Sequence, residues 1–449
     1  MNWKRLRQKV LEEIYPDEEE LEEARAVYQE ISDFIAEEYN LETHFAGSTS
    51  RGTCMKGDKD LDIFVLFPED TDRQELEEKG LELGKKTFEN FNGEFQVDYA
   101  EHPYTKGEIQ SHEVEIVPCF DVEPENIQSA VDRTPHHSRW IKGNLEDEER
   151  NDVVILKKFL KEQGLYGSSL KIEGFSGYLC EILVSEFGGF QSLAENAKNW
   201  GEEEIIDPAN HHNGELPEDL KNKFSEDSLV VIDPVDPERN VASVLSTENY
   251  AKFVYRCWQF SENPGLSYFQ EGEKDWTEFE LKQEIDGRGN FIAVEFARPN
   301  EVDDLVYPQM RKFMRLLTKK LEKHDFRIFE SGFHSDEEKI RLFFELEIDL
   351  PAIEELRGPK VFHNSRHLEE FSSKYENTFI RGERVYAKTE RDFTNAKEFL
   401  QDFLDEDAQS LKSKGVPSHI ADRIVEYRFF DVREGNEKWL NYLAEELNL

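Results

Sequence analysis

Asp60 and Asp62 stand two apart at the head of a run, Leu61 to Phe67, that is otherwise apolar. In a strand, a spacing of two puts both carboxylates on one face, with Leu61, Ile63 and Val65 on the other. Such a strand needs a sheet that is buried on the second face. Upstream, a candidate strand at residues 43–46 runs into Gly47-Ser48, and eleven residues separate Ser48 from Asp60. Glycine lets the backbone turn tightly there, and the amides that follow, with the Ser48 hydroxyl, can bind a phosphate oxygen. Arg51 adds a cation. Paired carboxylates beside a phosphate cradle suit a hard divalent cation, which prefers oxygen ligands. Two such ions for an in-line nucleotidyl transfer call for a third acid. Glu115 is the candidate, within Glu113-Val114-Glu115-Ile116-Val117-Pro118, where acids again alternate with apolar residues. Each piece alone is a weak signal, because exposed acids on strands are common in acidic chains; the ordered set is much more specific.

The periodicities around this set predict an α+β chain in three parts. Residues 1–145 read as a small mixed α/β domain. It has helices over 17–39 and 72–91 and strands over 43–46, 61–67, 96–100 and 113–119. Residues 146–270 read as helical, with helices over 151–163 and 176–187. In residues 271–449, strands are predicted at 291–296, 326–330, 340–348 and 384–388, and helices at 307–323 and 365–375. This βαββαβ order is ferredoxin-like and is shared by RNA-recognition modules.

The Gly-Ser turn, the Asp-x-Asp strand and the later acid resemble the signature of the polymerase β-like nucleotidyltransferase superfamily. Four further segments are similar to the archaeal-type (class I) CCA-adding enzymes. They are Tyr99-Ala100-Glu101-His102-Pro103-Tyr104, Ser129-Ala130-Val131-Asp132-Arg133-Thr134-Pro135, Gly174-Phe175-Ser176-Gly177-Tyr178-Leu179, and Asp233-Pro234-Val235-Asp236 with its continuation to Ala242. The resemblance covers most of residues 10–320 and continues more weakly to the end. It implies a nucleotidyltransferase palm, a helical central domain and a C-terminal RNA-binding region. The implied activity adds C, C and A to the tRNA 3′ end from CTP and ATP, without a template and with release of pyrophosphate. The implied partners are tRNA, through its 3′ end and acceptor arm, and the two nucleotides. Asp60, Asp62 and Glu115 would be catalytic and hold Mg2+, although the family leads one to expect aspartate where Glu115 stands. Ser48 and Arg51 would hold the triphosphate. His137, Lys157 and Tyr166 match positions that contact triphosphate and sugar, and Arg239 matches the arginine that reads the base. The alternatives are a poly(A)- or oligoadenylate-type transferase, or a catalytically dead RNA-binding relative.

Charge bears on the RNA partner. Lys and Arg number 55 against 98 Asp and Glu, a net charge of −43. Disorder is a poor explanation, because 33 Phe, 15 Tyr and 6 Trp can build cores. A surface adapted to high salt is the better one, which points to a halophile-like lineage. In molar salt, where the Debye length is about 3 Å, local contacts outweigh net charge. The segment Arg311–Arg327 runs against the trend: Arg311, Lys312, Arg315, Lys319, Lys320, Lys323 and Arg327 face only Glu322 and Asp325. An apolar stripe of Met310, Phe313, Met314, Leu317 and Leu321 leaves the cations another face, suited to RNA phosphates. Arg381, Arg384, Lys388 and Arg391 are expected to extend that surface. Cys54, Cys119, Cys180 and Cys257 form no CxxC pair, so no zinc site or disulfide framework is expected. With no apolar run of membrane-spanning length and no signal-peptide stretch at Met1-Asn2-Trp3-Lys4-Arg5-Leu6, a cytoplasmic location is expected. A homodimer is compatible with the sequence.

Overall fold

The computed structural model describes residues 2–99, 101–270, 276–362 and 365–447. The chain divides into two compact units, 1–273 and 274–449.

In the first unit, helices α1 (Trp3–Ile14) and α2 (Glu18–Tyr39) lead into strand β1 (Glu42–Phe45). A short helix α3 (Gly47–Arg51) follows, then β2 (Asp60–Pro68), helix α4 (Arg73–Asn90), β3 (Glu94–Tyr99), β4 (Pro103–Ile109) and β5 (His112–Asp121). The strands form one sheet in the order β1-β2-β5-β4-β3. The pair β2–β5 is parallel and the others are antiparallel. The strand predicted over 96–100 is β3, and Ala100 lies outside the described residues. α2 starts where Asp17 and Glu20 form a reciprocal capping box. It then buries Ala24, Val27, Ile31 and Ile35 with Leu61, Ile63 and Val65 of β2. α4 lies close to the sheet because Gly80 and Gly84, one turn apart, face it. A Cβ at Gly80 would come 2.6 Å from the Pro118 ring, and one at Gly84 would overlap Thr105. With α2 and α4 covering one face, the acids of β2 are left on the other.

Residues 133–262 are mainly helical. α5 (Arg133–Asn144), α6 (Asp147–Glu162), α7 (Gly177–Phe187) and α8 (Phe190–Ala197) are followed by a two-stranded parallel sheet, β6 (Glu204–Ile206) and β7 (Leu229–Val231). α9 (Glu218–Lys223) and α10 (Thr247–Glu262) complete the region. Its core brings Phe159 of α6 within 5.3–6.0 Å, centroid to centroid, of Phe190, Phe260 and Phe269. Such ring pairs add roughly 0.5–1.5 kcal/mol each beyond buried area.

The second unit has α11 (Glu278–Arg288), β8 (Phe291–Ala297), α12 (Asp303–Lys323), β9 (Ile328–Ser335) and β10 (Lys339–Leu346). Next come β11 (Ile353–Lys360), α13 (Ser365–Lys374), β12 (Thr378–Arg381) and β13 (Arg384–Glu390). α14 (Ala396–Leu404), α15 (Ala408–Ser413), α16 (Ser418–Ile424), β14 (Arg428–Phe430) and α17 (Glu437–Glu446) close the chain. The main sheet has the order β14-β8-β10-β9, all antiparallel. That is the ferredoxin-like order, but its closing elements differ from the expected ones. The fourth strand is β14, preceded by α14–α16, and not the strand at 384–388. That strand is β13, the centre of a separate sheet β11-β13-β12. The separate sheet is an insertion whose ends meet: Leu350 N–H donates to the Thr394 carbonyl, and Ala396 N–H to that of Ile348, both at 2.8 Å. Closing the ends lets the parent sheet form around it. The α12 stripe of Met310, Phe313, Met314, Leu317 and Leu321 is buried as expected.

Candidate nucleotidyl-transfer site

The parallel register of β2 and β5 sets Asp62 beside Glu115 and Asp60 beside Glu113. On its other side Glu115 faces Lys106 of β4, whose Nζ donates to Glu115 Oε1 at 2.8 Å. Glu113 is the more exposed of the two acids, at 65% of its side chain against 27% for Glu115. Ala46 N–H donates to the Asp62 carbonyl at 2.9 Å, so the chain enters α3 directly over the Asp62 carboxylate. Gly47 is required there twice. Its φ is +69°, and any Cβ would overlap the Asp62 carboxylate. Thr49 Oγ1 ties this turn to β2 by donating to the Asp60 carbonyl at 2.8 Å.

Burial, and then the charges of Glu115 and Asp60, push the Asp62 carboxyl up to about 6. Asp60 is raised too, by burial and then by Asp58 and Glu113. Arg51 and Lys106 oppose this at Asp62 without cancelling it. Carboxylates in this state have more negative charge than their surroundings neutralise, and their oxygens suit a hard divalent cation. Among the described residues, no three His, Cys, Asp or Glu side chains form a ready-made ligand set.

Arg51, expected at the triphosphate, has its Nε bonded to Glu181 Oε1 at 2.9 Å. Glu181 is fully buried in α7 and also accepts from the Thr53 hydroxyl. Burial alone would raise its carboxyl; the charges of Arg51 and Lys157 and the two hydrogen bonds more than reverse this and leave it lowered. Lys157 is buried as well, and its Nζ donates to the Thr53 carbonyl at 2.8 Å. Tyr166 joins it at the start of α7: a Cβ on Gly177 would lie 3.2 Å from Tyr166 Oη and 3.5 Å from Lys157 Nζ. The two side chains therefore converge on a helix N-terminus, where anions are favoured.

His137 and Arg239 meet at one acid. Asp233, fully buried, bonds through Oδ2 to His137 Nε2 at 2.9 Å and to Arg239 Nη1 at 2.8 Å. Its Oδ1 accepts from Tyr178 Oη at 3.2 Å. The Tyr178 ring stacks on His137, with centroids 4.1 Å apart. Burial works to raise the Asp233 carboxyl, but the hydrogen bonds from His137 and Val235 N–H and the charge of Arg239 bring it down to about 2. Burial holds the His137 imidazole below its ordinary value despite Asp233.

Lys106, Tyr178, Glu181 and Asp233 are site residues not expected from the sequence. Glu181 left a signal, as the one acid in the apolar helical run Gly177–Val184. The Ser129–Pro135 segment has a structural role: Asp132 accepts from the N–H groups of Phe120, Gln128 and Ser129 and so sets the start of α5. In the second unit, Lys312, Arg315, Lys319 and Lys323 of α12 have no carboxylate partner among the described residues. In the second basic cluster Arg381 is paired with Glu355 and Arg391 with Asp325 and Glu354, while Arg384 donates to the Gly358 carbonyl.

The chain is similar along its length to known proteins. Residues 28–137 match the nucleotidyltransferase domain family, residues 151–270 the second domain of tRNA nucleotidyltransferase, and residues 288–433 the C-terminal domain of the CCA-adding enzyme. The CCA-adding enzyme of Methanocaldococcus jannaschii is 37% identical over 424 residues, covering 92% of this chain and 93% of that one. That of Archaeoglobus fulgidus is 36% identical over 446 residues, covering 98% and 97%. A solved structure of the Cid1 poly(U) polymerase, with Mg and 3′-dATP bound, superposes on 60% of this chain and 98% of its own, with a TM-score of 0.48 and 14% identity. With relatives of this identity along nearly its whole length, the chain belongs to the family of CCA-adding enzymes.

Proposed function

We propose that this nucleotidyltransferase adds C, C and A in turn to the 3′ end of tRNA, using CTP and ATP and releasing pyrophosphate. The observation that carries the reading is the position of α7. Its Glu181 holds Arg51, whose charge acts on Asp62, and its Tyr178 holds Asp233 with His137 and Arg239. One rigid helix thus joins the groups for the reacting phosphate to those for the base.

In this reading Ser48, Arg51, Lys157, Tyr166 and His137 bind the triphosphate and sugar, so that its α-phosphate lies before the carboxylates. Arg239 presents the fixed donors of its guanidinium to the base edge, where C and A offer acceptor nitrogens. Asp60, Asp62 and Glu115 would hold magnesium, which when bound activates the primer hydroxyl and offsets charge developing on the α-phosphate. Residues 1–145 act as the catalytic palm, 146–270 contact the nucleotide, and 271–449 carry the tRNA body, in the cytoplasm. Nucleotide addition to a tRNA lacking its last three residues, in molar potassium chloride with magnesium, tests the whole. Growth by C, C, A and then a halt is expected. Open-ended A addition would instead mark a polyadenylating relative, and no addition at any salt concentration a catalytically dead RNA-binding one.

Lys312, Arg315, Lys319 and Lys323 of α12, which have no carboxylate partner among the described residues, supply the backbone contacts. Each phosphate contact contributes about one unit to the slope of log Kd against log salt. Reversing Lys312, Arg315, Lys319 and Lys323 to glutamate should therefore weaken tRNA binding and flatten that slope by roughly three to four units. An unchanged slope in a filter-binding titration would remove α12 from the interface.

A further inference from the structure

Arg239 lies at the end of a loop formed by two consecutive turns. Asp236 N–H donates to the Asp233 carbonyl at 3.2 Å, and Arg239 N–H to that of Asp236 at 3.0 Å. Each turn has a proline second, Pro234 and Pro237. Proline fixes φ and brings no N–H of its own. On one side the loop is held by its carboxylates, Asp233 through His137 and Tyr178, and Asp236 through Arg133 at 2.9 Å. Its carbonyls are held by a separate segment. His211 Nε2 lies 3.0 Å from the Pro234 carbonyl oxygen, and His212 Nε2 lies 2.8 Å from that of Pro237. Lys223 Nζ donates to the Glu238 carbonyl at 2.6 Å. The two histidines are themselves fixed, since Asp207 accepts the His211 N–H at 3.0 Å and the His212 N–H at 2.8 Å, one on each carboxylate oxygen. Asn210 and Asn213 on either side adopt left-handed φ of 53° and 52°.

Neighbouring histidines that reach equivalent carbonyls of two successive turns act as a clamp. A carbonyl accepts only from a protonated nitrogen, so both rings carry their hydrogen on Nε2. We infer that His211 and His212 are positioning residues for nucleotide selection, holding the Asp233–Arg239 loop so that the Arg239 guanidinium meets the base edge in one orientation. The inference rests on Arg239 being the base reader. Choice of base by a guanidinium depends on placement within a fraction of an ångström, and neither histidine needs to touch the nucleotide to control it.

The test compares, in the full chain, the double variant His211→Ala/His212→Ala, the double variant His211→Gln/His212→Gln, and Arg239→Ala. For each, kcat and KM are measured for CTP against UTP at the first added position and for ATP against GTP at the last. The alanine pair should lower the preference for the correct nucleotide at least about tenfold, through a higher KM for CTP and ATP with kcat nearly kept. The glutamine pair should restore most of it, because the amide N–H stands close to the imidazole Nε2 position. A role confined to folding would reduce all four nucleotides alike and leave the preference unchanged. Loss of preference in Arg239→Ala with none in the alanine pair overturns the clamp alone. No change in either variant overturns the base-reader assignment, and the clamp with it. A change only in the alanine pair overturns the route through Arg239.

Discussion

Asp62→Ala is expected to remove nucleotide addition while leaving tRNA binding within about twofold of the parent. Asp62 is partly buried beneath the Gly47 turn, and its carboxyl is pushed up to about 6 by desolvation and by the charges of Glu115 and Asp60. A group kept in that state gains nothing for the fold from its charge. Removing it should leave stability unchanged or improved, since Asp60 is then relieved of a like charge. Catalysis should respond in the opposite direction. Charge stabilisation at a metal-assisted phosphoryl centre contributes several kcal/mol, and about 4 kcal/mol corresponds to roughly a 10³-fold loss of rate. Single-turnover addition of C, paired with a filter-binding titration of tRNA and a thermal melt, separates the effects. Turnover near that of the parent would remove Asp62 from the chemistry. A fall in melting temperature matching the loss of rate would mean that the carboxylate serves the fold. Glu115 refines the result. Glu115→Gln should lose most activity, and Glu115→Asp should keep it.

Glu181→Ala should have the largest effect on stability. Glu181 is fully buried, and the side chain of its partner Arg51 is 10% exposed. The alanine variant leaves Arg51 and the Thr53 hydroxyl without their shared acceptor, and removes the negative charge near Lys157. Breaking a buried ion pair from one side costs roughly 3–5 kcal/mol, because the remaining charge is uncompensated. Since the folded-state carboxyl is lowered, its contribution is complete above the ordinary carboxylate range and is lost as pH falls through the lowered value. Urea titrations at neutral pH should therefore show the full penalty, and titrations in acid a smaller one. A penalty below about 1 kcal/mol, in the range of exposed pairs, would show that water reaches the site. Glu181→Gln should recover part of the loss, since an amide oxygen accepts from Thr53 but does not balance Arg51. Activity should fall in both variants, through Arg51.

Much of the first unit was legible in the sequence. Asp60-Leu61-Asp62-Ile63 reads as a half-buried strand because side-chain alternation is a property of the extended backbone, and Asp60–Pro68 is that strand. The helix over Glu18–Tyr39 follows from apolar spacing and an acidic start in the same way. Trp3–Ile14 was not among the expected helices, although Leu6, Val10 and Ile14 recur every four residues as on one helix face. The pattern was weaker elsewhere. Pro103–Ile109 went unread because Lys106, Gly107 and Glu108 blunt its alternation. In the second unit, the order of elements suggested the ferredoxin-like sheet, but the insertion of β11–β13 displaced its last strand by more than forty residues, to Arg428–Phe430.

The sequence by itself determined which side chains share a face: Asp60 with Asp62, Glu113 with Glu115, and the α12 cations away from their apolar stripe. These relations depend on backbone geometry a few residues long. Tertiary structure alone decided the partners. Arg51 takes Glu181 from 130 positions away and His137 takes Asp233 from 96. Lys106 and Asp62 come to flank Glu115 only through the register of three strands. In a chain with 98 acids every cation has many candidate partners in sequence, and electrostatics alone does not choose among them. Packing chooses, because it excludes water from a few pairs, where charge and hydrogen bonding have their full strength, and leaves the rest to solvent.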